Sequence, residues 1–325
     1  MKAVVVEQYD TIDNIPLKDV ALPDVPAGQV RVKVQAASIG FVDGLKVQGL
    51  YQTKDALPFT PGTEFAGIVD AVSDDVSGLA PGQSVMGLAR SGALAEYIVV
   101  PAATLTAIPD GIAPEVAAAF RANYVTALYA LAERGSLKSG EILLVLGAAG
   151  GVGIAAVQVG KLLGARVIAA ASTEEKRNFA ASHGADATID YTQANWRDAL
   201  KELTGEHGAD VIYDPVGGEV SVQAFRSIAW NGRHLVVGFA AGKIPALPFN
   251  LPLLKGGVLT GVDVAQIGRR EPEAERRVTG QLLSWLRDKK LKPVVGQVFD
   301  FADFREAFKT MQARAALGKM VVRIG

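Results

Sequence analysis

Seven residues, Gly147-Ala148-Ala149-Gly150-Gly151-Val152-Gly153, have the types and spacing to hold a diphosphate. A bulky side chain in such a turn would keep the backbone away from a charged ligand, whereas glycine and alanine let main-chain N–H groups approach it. The apolar run Ile142 to Leu146 precedes the turn, and an Ala/Val/Gln segment follows it. Strand, turn and helix in that order set the positive end of the helix against the phosphates. The same glycines would also serve a helix that only packs close to a sheet. The flanking strand and helix therefore carry the dinucleotide reading.

A strand that binds NAD usually ends in an acidic residue about 20 residues beyond the glycine turn, where it accepts from the ribose. Here that neighbourhood is Ala169-Ala170-Ala171-Ser172-Thr173. Without a carboxylate there is no charge to repel a ribose phosphate, which favours NADP(H). Ser172 can donate to a phosphate, and Lys176 or Arg177 can supply a cation, although both also suit the solvated face of a helix. Asp214-Pro215-Val216-Gly217-Gly218 and Gly238-Phe239-Ala240 each follow a strand candidate, so their backbone can orient a nicotinamide amide or simply connect strand to helix. Tyr51 is the candidate catalytic residue. Its phenol can hydrogen-bond a carbonyl oxygen with Phe59 or Phe239 as an apolar wall, while a packed tyrosine is the competing reading.

Other chemistries are disfavoured. The chain has no cysteine, so thiolate nucleophiles, disulfides and Cys-containing zinc sites are excluded. His183, His207 and His234 have no neighbouring ligand cluster, and no metal is expected. There is no G-x-S-x-G elbow and no Gly-Lys-Ser/Thr phosphate loop. The acid pairs Asp74-Asp75 and Glu174-Glu175 read as solvated turns or helix starts. Thirty-three Lys plus Arg against 34 Asp plus Glu give a formal charge of −1, so nucleic acid and anionic membranes are not expected partners. The opening Met1 to Glu7 is too short in its apolar run for a signal peptide, and the glycine-broken run from Ile142 to Val157 is a poor membrane span. A cytoplasmic location is the expectation.

These residues need a scaffold, and the pattern supplies two. In the 325-residue chain, Val-rich runs separated by Pro, Gly and Asp mark a β-rich first part: Val4 to Val6, Val30 to Val34, Phe65 to Val72, Ser84 to Leu88 and Leu94 to Val99. From about residue 123 the pattern becomes short strands (Glu141 to Gly147, Arg166 to Ala170, Val211 to Tyr213, His234 to Gly238) alternating with helices. The helices are expected at Gly151 to Leu163, Glu174 to Ser182, Trp196 to Leu203, Val220 to Ser227 and Glu273 to Lys289. Leu291 to Phe299 and Gly318 to Ile324 read as strands flanking a helix at Phe304 to Ala315, which returns the C-terminus to the first domain. The apolar stretch Leu247 to Val262 is either sheet core or a dimer edge.

Met1-Lys2-Ala3-Val4, Pro61-Gly62-Thr63-Glu64-Phe65-Ala66-Gly67, Gly147 to Gly153, Asp214 to Gly218 and Gly318-Lys319-Met320-Val321-Val322 together resemble one family. It is the zinc-free quinone oxidoreductase, zeta-crystallin-like branch of the medium-chain dehydrogenase/reductase superfamily. The resemblance implies an α/β chain in which residues 1–122 and 291–325 form a GroES-like β-rich catalytic domain and residues 123–290 a Rossmann-like parallel-sheet NADPH-binding domain. It implies that Asn123 and Thr126 line the nucleotide site, that Ala149, Gly150, Val152 and Gly153 form the pyrophosphate turn, that Ser172, Lys176 and Tyr191 surround the adenosine phosphate, and that Gly238, Phe239 and Ala240 face the nicotinamide. It also implies a homodimer. One position departs from the family: Gly40 stands where members often carry Asn before Phe41-Val42-Asp43, and glycine has no amide to offer. The expected activity is hydride transfer from NADPH to a quinone. Reduction of an α,β-unsaturated carbonyl or enoyl thioester, and a non-catalytic NADPH-binding structural or regulatory role, are the alternatives.

Overall fold

The computed structural model describes residues 1–325, which divide into two units, Met1–Ala122 with Pro293–Gly325 and Asn123–Lys292. In the first unit the long strand Gln29–Ile39 alternates Val30, Val32 and Val34 inward with polar residues outward, the period-two pattern of a half-buried antiparallel strand. It pairs antiparallel with Glu64–Val72 on one side. On its other side its first half pairs with Tyr97–Pro101 and its second half with Lys319–Arg323, both antiparallel. Val295–Asp300 runs parallel to Lys319–Arg323 at one end of the path, and Ser84–Leu88 with Leu105–Ala107 completes the other. The inward valines pack with Phe65, Val85, Ile98, Phe304 and Phe308. The last two lie on the amphipathic helix Phe304–Gln312.

The register of the C-terminal strand matters for the chemistry. Met320 lies opposite Ile39 and Val321 opposite Ser38, so in an antiparallel pair Lys319 comes level with Gly40. Ser38 in turn faces Glu64 on the other neighbour.

The second unit is a six-stranded, wholly parallel sheet in the order Ala187–Asp190, Arg166–Ala171, Ile142–Leu146, Ala209–Asp214, Ile228–Val236, Val258–Gly261. Strand order reverses between Ile142–Leu146 and Ala209–Asp214. In doubly wound sheets the ligand crevice lies at that switch point, beyond the carboxyl ends of the strands. Ile142–Leu146 is buried almost throughout, as a strand covered on both faces must be. The helix Gly151–Leu162 lies close against the sheet: a Cβ on Gly160 would stand 2.5 Å from a Leu143 methyl carbon. Leu144, Leu146, Ile168, Ile212, Trp196 and Phe225 form part of the core on one face.

The α/β class with its GroES-like and Rossmann-like parts is as expected, and the helices Glu174–Ser182 and Trp196–Leu203 fall where the pattern sets them. Several elements differ. The strand expected from His234 begins at Ile228, because Trp230-Asn231-Gly232 masks its alternation; His234 sits near its end. Ala187–Asp190 and Val258–Gly261 are strands too short for their pattern to stand out. The helix Arg121–Leu128 has no counterpart in the sequence pattern, because its apolar and polar residues follow no amphipathic rhythm.

Candidate functional site

The glycine turn leaves Leu146 with Gly147 in the left-handed region, φ 59°, which a side chain would strain. Gly150 N–H donates to the Gly147 carbonyl at 3.0 Å, and Ala148 N–H donates to Ala170 O at 3.2 Å, tying the turn to the next strand. Gly150 is the N-cap of the helix and supplies no capping side chain. Ile154 N–H makes the first intrahelical bond, to Gly150 O at 2.8 Å, so the N–H groups of Gly151, Val152 and Gly153 precede the helical ladder. The two outer glycines act differently. A Cβ on Gly150 would meet only the Gly147 carbonyl, at 3.5 Å, whereas one on Gly153 would stand 2.2 Å from that same oxygen. Gly150 keeps the approach to the helix end open, and Gly153 lets the helix touch the turn. This cradle fits a diphosphate, whose charge the helix end and its unpaired donors stabilise.

Asp190 pairs with Ala171 in the parallel ladder, so Tyr191 and Ser172 leave adjacent strands at the same level. Thr173 caps the next helix, its side chain accepting from Lys176 N–H at 3.3 Å, and Lys176 lies in the first turn. Ser172, Lys176 and Tyr191, all half-buried, therefore gather at one corner of the sheet. The Arg177 guanidinium pairs with Asp190 Oδ2 at 3.0 Å.

Asp214 ends its strand and builds the following turn. Its Oδ1 accepts from Val216 N–H at 2.8 Å and Gly217 N–H at 3.0 Å, while His234 Nε2 meets its Oδ2 at 2.9 Å. Burial alone would raise the carboxyl, but the His234 hydrogen bond and charge, with Ser221 and the Gly217 N–H, hold it below the ordinary carboxylate value. His234 is thus committed to a partner on another strand, not to a local hydrogen bond. The turn is joined to Gly238-Phe239-Ala240. Gly238 N–H donates to Asp214 O, Ala240 N–H to Pro215 O, and the Phe239 ring lies where a Cβ on Gly217 would stand, at 2.8 Å. Asn123 and Thr126 are buried one turn apart on the helix Arg121–Leu128 of the same unit.

In the first unit Tyr51 is half-buried in the segment after the helix Phe41–Val47. That segment is anchored at Asp55, whose Oδ1 accepts from Arg90 Nε at 2.6 Å, whose Oδ2 lies 3.2 Å from Lys46 Nζ, and whose carbonyl accepts from the Tyr9 hydroxyl at 2.7 Å. Phe59 is buried against Val6 and the Tyr9 ring, so it serves the core instead of forming an open wall beside Tyr51. Nearby lies a cluster of buried charges. Glu64, 0% exposed, accepts from Ser38 Oγ at 3.0 Å and Ala122 N–H at 2.9 Å and pairs with Lys319 Nζ at 3.4 Å. Asp43, 1% exposed, accepts from Gly40 N–H at 2.7 Å through Oδ2. Burial pushes both carboxyls up, opposed for Asp43 by the Gly40 N–H and the Lys319 and Lys46 charges, and for Glu64 by Lys319, the Ala122 N–H and Ser38. Sequence reasoning missed Asp43, Glu64, Lys319 and the Asp214–His234 pair as organisers. The available signals were the acid in Asp-Pro-x-Gly-Gly and the charged residues Glu64 and Lys319 that open largely apolar strands; Asp43 lies on the helix Phe41–Val47.

The family model for the alcohol dehydrogenase GroES-like domain matches residues 26–110, and that for the zinc-binding dehydrogenase matches residues 151–280. The side chains do not suit zinc: the chain has no cysteine, and no group of three or more His, Asp or Glu could hold a metal ion. Quinone oxidoreductase-like protein 2 homolog of Nematostella vectensis is 40% identical over 297 residues, 90% of this chain and 81% of the relative. The crystal structure of the quinone oxidoreductase from Thermus thermophilus, solved also in complex with NADPH, is 33% identical with a TM-score of 0.87 and covers 100% of both chains. The CurK enoyl reductase structure is 26% identical with a TM-score of 0.90, covering 100% of this chain and 99% of its own. No helix here is long and apolar enough to cross a membrane. By fold, motif and relatives alike, the chain belongs to the zinc-free quinone oxidoreductase branch of the medium-chain dehydrogenase/reductase superfamily.

Proposed function

We propose that this oxidoreductase uses NADPH to reduce a small quinone by hydride transfer. The observation that carries the reading is the turn Gly147 to Gly153, with three helix-initial N–H groups ahead of the ladder and an open approach at Gly150. The NADPH complex of the Thermus enzyme supports the choice of cofactor, as does the strand end Ala171-Ser172-Thr173, which lacks a carboxylate. When bound, NADPH supplies a hydride equivalent, so neither a metal nor a nucleophile is required. Ala149 and the open face of Gly150, with the backbone N–H groups of Val152 and Gly153, hold the diphosphate; Ser172, Lys176 and Tyr191 hold the ribose phosphate. Gly238, Phe239 and Ala240, braced by Asp214, orient the nicotinamide, and Asn123 and Thr126 line the nucleotide. Tyr51 hydrogen-bonds the acceptor oxygen. Catalysis comes chiefly from orientation.

Likeness to the CurK enoyl reductase and the glycine at position 40 favour a second reading, reduction of an α,β-unsaturated carbonyl or enoyl thioester. Anaerobic oxidation of NADPH deuterated at C4, with product analysis, separates the two. Quinol without label on carbon supports the first; deuterium on the β carbon supports the second. Tight NADPH binding with no turnover across both panels leaves a non-catalytic binding protein.

The reading includes a homodimer and a cytoplasmic location, the latter tested by cell fractionation. Val258–Gly261 is the edge strand of the parallel sheet, and beside it in sequence Phe249, Leu253 and Leu254 are 93%, 80% and 66% exposed. Bare apolar surface next to an open strand edge calls for a partner, and a second copy supplies a matching edge. Light scattering on Leu253→Glu/Leu254→Glu is expected to give a monomer. A dimer of unchanged strength would remove this interface.

A further inference from the structure

Position 40 departs from the family pattern, and its surroundings are polar. A Cβ built on Gly40 would meet only two atoms within 4 Å, Asp43 Oδ2 at 3.4 Å and Lys319 Nζ at 3.5 Å. Both belong to side chains more than nine-tenths buried. The strand register brings Lys319 here from the far end of the chain. An ammonium has three donors, and the ion pair with Glu64 Oε2 at 3.4 Å engages one of them. Glu64 is itself satisfied by Ser38 and Ala122. A buried ammonium with donors to spare beside side-chain-free space favours the entry of a hydrogen-bond acceptor.

We propose that the space above Gly40 is a niche for the acceptor's carbonyl oxygen, in which the Lys319 ammonium donates to the negative charge that develops there. The proposal rests on the oxidoreductase reading and deepens it. Hydride leaves the reduced nicotinamide, which is oxidised, and forms a bond to the acceptor. The displaced electron pair settles on the acceptor oxygen, and a solvent proton completes the reduction. Lys319 keeps its proton throughout and acts as a fixed donor, the kind of group whose removal costs about 100-fold in turnover in oxyanion sites. Glu64 holds the ammonium in place.

Gly40→Ala is the clean test. Gly40 has φ −109° and ψ 165°, a conformation open to any residue, and the added methyl clashes with nothing while filling the niche. The first measurement is binding of 4-nitrophenol to the whole protein without nucleotide, followed by the 400 nm absorbance of the phenolate against pH. In the wild-type protein the bound phenol is expected to ionise about one pH unit lower than in solution, and in Gly40→Ala this shift is expected to vanish. The second is kcat/KM for the carbonyl acceptor, expected to fall about 100-fold in Gly40→Ala with NADPH affinity unchanged. Lys319→Met is expected to abolish the phenolate shift; where it fails to fold, Gly40→Ala decides alone. No binding of nitrophenol, or a shift and kcat/KM in Gly40→Ala equal to wild type, overturns the niche. Failure of NADPH to bind the wild-type protein instead overturns the oxidoreductase reading, and the phenolate titration still judges the niche.

Discussion

Two glycines of one turn make opposite predictions. Gly150 sits at φ −74° and ψ 167°, where alanine is at ease, and its methyl would touch only Gly147 O at 3.5 Å. Replacing glycine by alanine at a compatible position stabilises by about 0.4–1 kcal/mol through the unfolded chain. Gly150→Ala should therefore melt at or slightly above the wild-type temperature. The methyl nonetheless stands where the diphosphate must approach, and losing one charge-assisted hydrogen bond costs about 1.5–3 kcal/mol, a roughly 10- to 150-fold rise in Kd. Gly153→Ala reverses the pattern. Its Cβ would lie 2.2 Å from Gly147 O, 2.8 Å from Ala148 Cα and 2.9 Å from Gly147 C, all backbone atoms that no rotamer change can clear. Overpacking of this kind costs about 3 kcal/mol or more, and a unit of this size loses about 2–4 °C per kcal/mol, so the unit Asn123–Lys292 should melt about 6–12 °C lower without ligand. Calorimetric titration with NADPH and scanning calorimetry of the ligand-free proteins provide the readings. Gly150→Ala binding within about twofold of wild type would refute the turn as the phosphate site, and Gly153→Ala melting with the wild-type protein would refute the packing argument.

Lys176→Ala should weaken NADPH by about 1 kcal/mol, roughly fivefold, and leave NADH nearly untouched, as measured by fluorescence titration with both; equal losses would remove Lys176 from the phosphate site. Tyr51→Phe should lower kcat for a carbonyl acceptor about tenfold with NADPH affinity unchanged, since one hydrogen bond of about 1.4 kcal/mol is lost; unchanged steady-state kinetics with quinones and enones would dismiss it. Glu141 accepts from Arg233 Nη1 and Nη2 at 3.0 and 2.6 Å. Burial would raise this carboxyl, but Arg233 and the Lys138 N–H hold it below the ordinary 4.5. Because the folded value is depressed, its stabilisation is complete above about pH 4.5 and is lost as pH falls through the folded value. Glu141→Gln should thus destabilise by about 1–2 kcal/mol at pH 7 and converge on wild type as the pH falls below the folded value in urea titrations; a pH-independent difference would contradict the ion-pair account.

The parts of the site legible in the sequence were those built by neighbours in the chain. The glycine turn announces itself because strand, turn and helix are contiguous, and Ser172 because it follows Ala171 at a strand end. What stayed hidden depends on pairing across strands. Asp214 reads locally as a turn residue, yet its orientation depends on His234, which reaches it from the neighbouring strand. Arg177 reads in sequence as a solvated helix residue or a phosphate cation, and its partner Asp190 reaches it from the neighbouring strand. The helix Arg121–Leu128, whose polar residues are largely buried, has no solvent face from which a rhythm could be read.

Register links these cases physically. Side chains alternate faces along a strand, so a slip of one residue would send every group to the opposite side. The burial of Val30, Val32 and Val34 sets the strand Gln29–Ile39 against Glu64–Val72, and a one-residue register shift between Val34 and Ala36 brings Ser38 to Glu64. The burial of Met320 and Val322 fixes the C-terminal strand against it, which brings Lys319 to Gly40. Apolar side chains thus help to hold the charged cluster in place. Charges this buried would be expelled to water if the register were loose, because an unpaired one costs several kcal/mol. The valines' burial must therefore outweigh that cost, and at about 1.5–3 kcal/mol for each fully buried side chain, three or four of them are enough. The apolar alternation visible in the sequence is in this sense the cause of the polar niche that the sequence conceals.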